Sequence, residues 1–158
     1  MRNIIYVGIG VAFLTGFFSV TLQADTPVSS DAKVNQIIQD LHASRKSSNR
    51  RCDVSTLEFH DDSAAREGRQ GRPLAAAASA KLAAQVAATC AITDRSDGGA
   101  EHWIFVAGDF MAVSAIYSAR FHATREAHVM AHNAKVLLRH TDREEGPEMI
   151  DQLKAAGY

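Results

Sequence analysis

The amino-acid sequence predicts an all-α protein, a small helical bundle of about four helices that follows an N-terminal signal peptide and carries one disulfide. Three observations lead to that reading. The chain of 158 residues opens on a run from Ile4 to Val20 that holds no charge. Behind it lie Ala-rich segments whose apolar residues recur three and four positions apart, the period of a helix with one buried face. The two cysteines, Cys52 and Cys90, make an even pair in a chain with the pattern of an exported protein.

Met1-Arg2-Asn3 is a short positive start, and Thr21-Leu22-Gln23-Ala24 turns polar and ends on a small residue before Asp25. With the apolar run between them, this is the order of a secretory signal and its cleavage site. The predicted division is a signal peptide over 1–24 and a single helical domain over 25–158, located in the periplasm or secreted. The alternative is an uncleaved inner-membrane anchor with the domain outside the cytoplasm, because roughly 17 apolar residues is the short limit of what spans a bilayer. The membrane is a partner only in that second case. The polarity of the remainder argues against further spans.

Without its first 24 residues the chain keeps 134, one ordinary domain in length and enough for one hydrophobic core. Its 16 Lys and Arg then face 18 Asp and Glu, a formal charge of −2, which gives no global argument for nucleic acid as a partner. Charge is nevertheless uneven. Arginines crowd residues 45–72, while Asp142, Glu144, Glu145, Glu148 and Asp151 crowd the end, so the two regions could attract each other.

Cys52 and Cys90 lack the C-x-x-C spacing of a redox or metal pair, so a structural bridge is expected between them. It would close a loop of about 39 residues, which the chain-entropy account values at on the order of 4 kcal/mol. The same spacing excludes covalent c-type haem attachment.

The helices follow in order. Val34, Ile37, Ile38 and Leu41 fall at i, i+3, i+4 and i+7 behind Ser29, Ser30 and Asp31, which can cap. Arg45 to Arg51 holds no apolar residue and reads as an exposed connector. Val54 to Phe59 alternates too poorly to be assigned as a strand, and Arg66 to Pro73 reads as a loop because it contains Gly68, Gly71 and Pro73. Pro73 is well placed to open the next helix. That helix, Leu74 to about Thr89, contains nine Ala and is expected at the centre of the bundle, with Leu82, Val86 and Cys90 on one side and Lys81 and Gln85 on another. Asp94 to Gly99 is a turn by composition. Ala100 to His140 reads as one long helix bent near Gly108, with Val113, Ile116, Tyr117, Ala127, Ala131, Ala134 and Leu138 on one face. Arg120 falls on that face and must reach out of it or find a partner. Trp103 is expected as a core anchor. Gly146-Pro147 separates a short last helix.

Chemistry is sparse. The sequence holds no G-x-S-x-G, P-loop, dinucleotide fingerprint or EF-hand loop, so no enzymatic activity is expected. The sharpest motif is His128-x-x-x-His132, two imidazoles on one side of a helix that could share a metal. It departs from H-E-x-x-H, since Val129 follows His128 and the metalloprotease Glu is absent. A third ligand would have to come from elsewhere, for instance His60 with Asp61 and Asp62. Two functions therefore stand as expectations. The first is an exported, non-enzymatic module that binds another protein of the cell envelope, of the inhibitor, immunity or accessory type. It would need no cofactor and would use Arg50, Arg51, Arg66, Arg69 and Arg72. The alternative is a helical protein that binds zinc or haem through His128 and His132.

Overall fold

The computed structural model describes residues 27–45, 51–94, 96, 98–121 and 125–158. The signal segment over 1–24 lies outside the described residues, as do Arg50 and His122. The described chain is all-helical, with six helices: α1 (Ala32–Ser44), α2 (Val54–Arg69), α3 (Pro73–Thr93), α4 (Gly99–Ala119), α5 (Arg125–His140) and α6 (Glu145–Ala155).

Local chemistry starts these helices where it should. Asp31 caps α1 by accepting from the Lys33 and Val34 amides, and Asp53 caps α2 by accepting from the Thr56 amide at 3.2 Å. Pro73 stands in the first turn of α3. Gly98 enters α4 at φ 73°, a left-handed conformation that glycine takes without a steric penalty.

The bundle is built around α3. From Ala83 to Ala91 every residue of that helix is buried, most of them alanines, so α2 and α4 pack closely along it, with α1 also against it. By length and composition α3 is apolar enough to cross a membrane, yet 72% of that stretch is buried inside the bundle. α4 runs antiparallel to α3, since the Ser114 hydroxyl near the end of α4 donates to the Ala77 carbonyl near the start of α3 at 2.8 Å. α5 returns along α4, and α6 closes over both. The largest fully buried side chains, among them Ile38, Ile104, Leu137, Leu138 and Leu153, come from five different helices. Each contributes roughly 1.5–3 kcal/mol by leaving water, so no helix could stand alone. Cys52 and Cys90 are joined, with Cα atoms 4.4 Å apart, and tie the segment before α2 to the buried flank of α3.

Six helices replace the expected four for identifiable reasons. α2 is continuous where an unassigned segment and a loop were expected, because the Asp53 cap nucleates it and Leu57 and Ala64, two turns apart, both reach the core. Gly68 does not break it. The Tyr117 hydroxyl of α4 lies directly against that glycine, where a side chain would collide. The expected long helix is instead two, α4 ending at Ala119 and α5 starting at Arg125, and α4 runs unbroken through Gly108. A Cβ at Gly108 would stand 3.0 Å from Leu137 Cβ, so the missing side chain lets α5 approach α4. α6 likewise starts before Gly146-Pro147, with Pro147 in its first turn.

Smaller corrections concern single side chains. Leu82 is 43% exposed while Gln85 is buried and donates to Ser44 Oγ at 2.8 Å. α3 is thus enclosed nearly all round in its second half, and no single apolar stripe describes it. Arg45, expected in an exposed connector, is buried and donates to the Arg51 carbonyl at 3.0 Å. Trp103 is half-buried, and its indole N–H donates to Asp94 Oδ2 at 2.9 Å. Arg120 finds its partner in the Tyr117 ring, 5.4 Å from guanidinium carbon to centroid.

Candidate functional site

Basic side chains that the chain scatters over four segments converge on one end of the bundle. α2 ends at Arg69 and α3 begins at Pro73, so Arg66, Arg69 and Arg72 lie at the start of α3. The antiparallel α4 brings its last turn, with Arg120, to the same end, as the Tyr117–Gly68 contact demonstrates. α5 begins there too, with Arg125 followed by Glu126, and Glu126 pairs with Lys81 of α3. The nearby carboxylates are fewer. Glu67 takes Arg72 at 2.7 Å and stands 3.9 Å from Arg66, while Arg69 points its exposed side chain outward with no ion pair among the described residues.

Arg51 does not belong to this group. It lies before the first turn of α2, and 16 helical residues at 1.5 Å each separate the two ends of α2 by roughly 24 Å. The arginines adjacent in sequence therefore form two patches, not one. Nor do they meet the acidic segment. Asp142 and Glu144 lie between α5 and α6, and Glu145 and Glu148 in the first turn of α6, at the end where the Arg143 guanidinium donates to His102 Nδ1 at 3.2 Å and stacks 5.1 Å from the Phe105 ring. Among the described residues no ion pair joins the two regions.

The basic end encloses a cavity of about 300 Å³ between α3, α4 and α5. Leu74, Ala77, Ala78 and Lys81 form one wall, Ser114, Ser118 and Phe121 the second, and Met130 with Glu126 the third. Leu74 and Phe121 are large apolar residues left 59% and 52% exposed, and both line this cavity. Arg72 and Arg120 lie close to these two in the chain.

The histidines are engaged separately. His128 sets its ring edge-on to Tyr158, centroids 5.0 Å apart, and His132 Nε2 accepts from the Lys33 ammonium at 3.0 Å. An ammonium has only protons to offer, so Lys33 occupies the lone pair that a metal would take. His60 lies on α2 near Arg45, and Asp61 is close enough to Asp109 of α4 to act on its charge. The structure thus does not bring His60, Asp61 or Asp62 to the His128–His132 pair, and no group of three His, Cys, Asp or Glu among the described residues could hold a metal. His140 Nε2 lies 2.8 Å from Ser29 Oγ, a contact that straps the chain before α1 to the end of α5. His42 Nδ1 lies 3.1 Å from Thr89 Oγ1. Because that hydroxyl spends its proton on the Gln85 carbonyl, the imidazole is the donor.

Electrostatic shifts follow local partners. The Ser55 and Thr56 hydroxyls and the Thr56 amide hold Asp53 at about 2. The Ser96 hydroxyl and amide, with the Trp103 indole, do the same for Asp94, also about 2. Burial, then the Arg45 charge, lowers His60. Asp109 moves the other way, raised first by burial and second by the Asp61 carboxylate.

No family model, characterised protein or solved structure matches the chain. What the end of the bundle can do rests on its own chemistry. Of the residues there, the sequence pointed to Arg66, Arg69 and Arg72 and missed Leu74, Lys81, Phe121 and Met130. Leu74 was legible in principle, since Pro73 starts a helix whose first turn has a large apolar residue among alanines. Phe121 and Met130 meet it only through the break between α4 and α5.

Proposed function

We propose that the chain is an exported, non-enzymatic module that binds another protein of the cell envelope, with its basic end as the recognition surface. The observation that carries this reading is the convergence of Arg66, Arg69, Arg72, Arg120 and Arg125 on the end of the bundle where the exposed Leu74 and Phe121 line a cavity. Interfaces draw most of their binding energy from a few apolar anchors within a polar rim, and guanidinium groups bind carboxylates in paired hydrogen bonds. An acidic partner surface with a protruding apolar side chain suits such an end. A disulfide-locked bundle of the inhibitor, immunity or accessory type holds that surface rigid, and a Cys52–Cys90 bridge persists in oxidising compartments outside the cytoplasm.

The test is capture from an envelope extract by the immobilised, oxidised protein, with the partner identified by mass spectrometry. A specific partner is expected. Arg69→Glu with Arg72→Glu lowers its recovery at least tenfold, while Arg51→Glu, at the far end of α2, leaves recovery unchanged. Recovery of no specific partner, or of one held equally by the double variant, overturns the proposal. N-terminal sequencing of the exported form, expected to begin near Asp25, tests the export half of it.

A further inference from the structure

The cavity at the basic end has an interior and a rim of different chemistry, and the difference specifies a class of ligand. Inside, Ala77 and Met130 present carbon and sulfur, and both wall hydroxyls are committed. Ser114 Oγ donates to the Ala77 carbonyl at 2.8 Å, with Met130 Sδ 3.8 Å away, and Ser118 Oγ donates to the Ser114 carbonyl at 2.9 Å. Neither has an O–H left for a guest, so a polar group pushed into the cavity would lose its water without a donor in return. The part of a ligand that enters must be apolar, and the exposed Leu74 and Phe121 continue the apolar path outward.

The rim holds one ion pair, and arginines stand beyond it at the same end. Lys81 keeps 42% of its side chain exposed and is held by Glu126, itself 65% exposed. An ion pair this open to water is weak, so an incoming anion can take Lys81 while Glu126 returns to solvent. Arg72, Arg120 and Arg125 at the same end add positive potential that draws such an anion in.

We infer that this cavity binds a single-chain anionic amphiphile, with its hydrocarbon chain between α3, α4 and α5 and its anionic head on Lys81. A volume of about 300 Å³ is at the small end of ligand cavities, so a medium-length chain fills it. The inference does not depend on a protein partner. Purified components test it alone, and its failure leaves the capture experiment standing.

The experiment titrates the disulfide-intact protein with octanoate, decanoate and dodecanoate, each below its micelle-forming concentration, using calorimetry and the NMR signal of the Met130 methyl group. One saturable site that shifts this methyl is expected. Affinity rises about fourfold per added methylene and levels off once the cavity is full. Decyltrimethylammonium, with the same chain length as decanoate and the opposite charge, binds several-fold more weakly. Ala78→Phe fills the mouth from an exposed position on α3 and lowers decanoate affinity at least tenfold. Lys81→Gln removes most of the preference for the anion, and it tests the same site should Ala78→Phe fail to fold. Absence of a saturable Met130 shift, equal affinity for both head charges, or undiminished binding by folded Ala78→Phe overturns the inference.

Discussion

Two carboxylates illustrate how opposite surroundings act on one functional group. Asp94 is partly exposed and gathers donors from Ser96 and Trp103, so its pKa falls from 3.8 to about 2. A carboxyl lowered on folding contributes stability that is complete above its unfolded pKa and is lost as pH falls through its folded one. Melting temperatures are therefore expected to drop more steeply between pH 4 and 2 for the native chain than for Asp94→Asn, in a pH series of thermal denaturation. Asp109 reverses the sign. Burial and the Asp61 charge raise its pKa, so the ionised group weakens the fold at neutral pH and ceases to do so once protonated. Asp109→Asn should melt higher than the native chain at pH 7, and the gain should vanish below the ordinary carboxyl range. A gain that persists unchanged at pH 3 would contradict the assignment. Neither environment could be read from sequence, because Asp61 and Asp109 are 48 positions apart and only the packing of α2 and α4 beside α3 brings them near.

At the scale of elements, what was legible was whatever one helix decides by itself. Val34, Ile37, Ile38 and Leu41 form the buried face of α1 as their spacing requires, and the Ala-rich α3 is the core helix that its small side chains suggest. What was not legible depended on a second helix. Gly108 looks like a bend in sequence because glycine costs roughly 1 kcal/mol in a helix, yet in the fold it is a point of close approach between α4 and α5. Gly108→Ala should therefore destabilise the protein by about 1–3 kcal/mol in urea denaturation, despite alanine's higher helix propensity, since Leu137 is fully buried and its Cβ has no room to retreat. The candidate site divides the same way. Arg66, Arg69 and Arg72 announce themselves by local charge, whereas the cavity at the same end is made by three helices and has no signature in any one of them.

For the molecule as a whole, the Cys52–Cys90 bridge spans 38 positions and encloses all of α2 and most of α3. Chain entropy values such a loop at about 4 kcal/mol, a large part of what holds a domain of this size together. Paired replacement, Cys52→Ser with Cys90→Ser, should lower the free energy of unfolding by an amount of that order, measured by denaturant titration, and added reductant should have no further effect on the variant. The separation of charge is the second property that belongs to the whole. Basic side chains gather where α3 begins, while Glu101, Asp142, Glu144, Glu145 and Glu148 lie where α4 begins and α5 ends. The net charge is near zero, but the molecule has poles. Near a charged surface it experiences a torque as well as a force, so it presents a chosen end before any contact is made, and that preference fades as salt shortens the reach of the field.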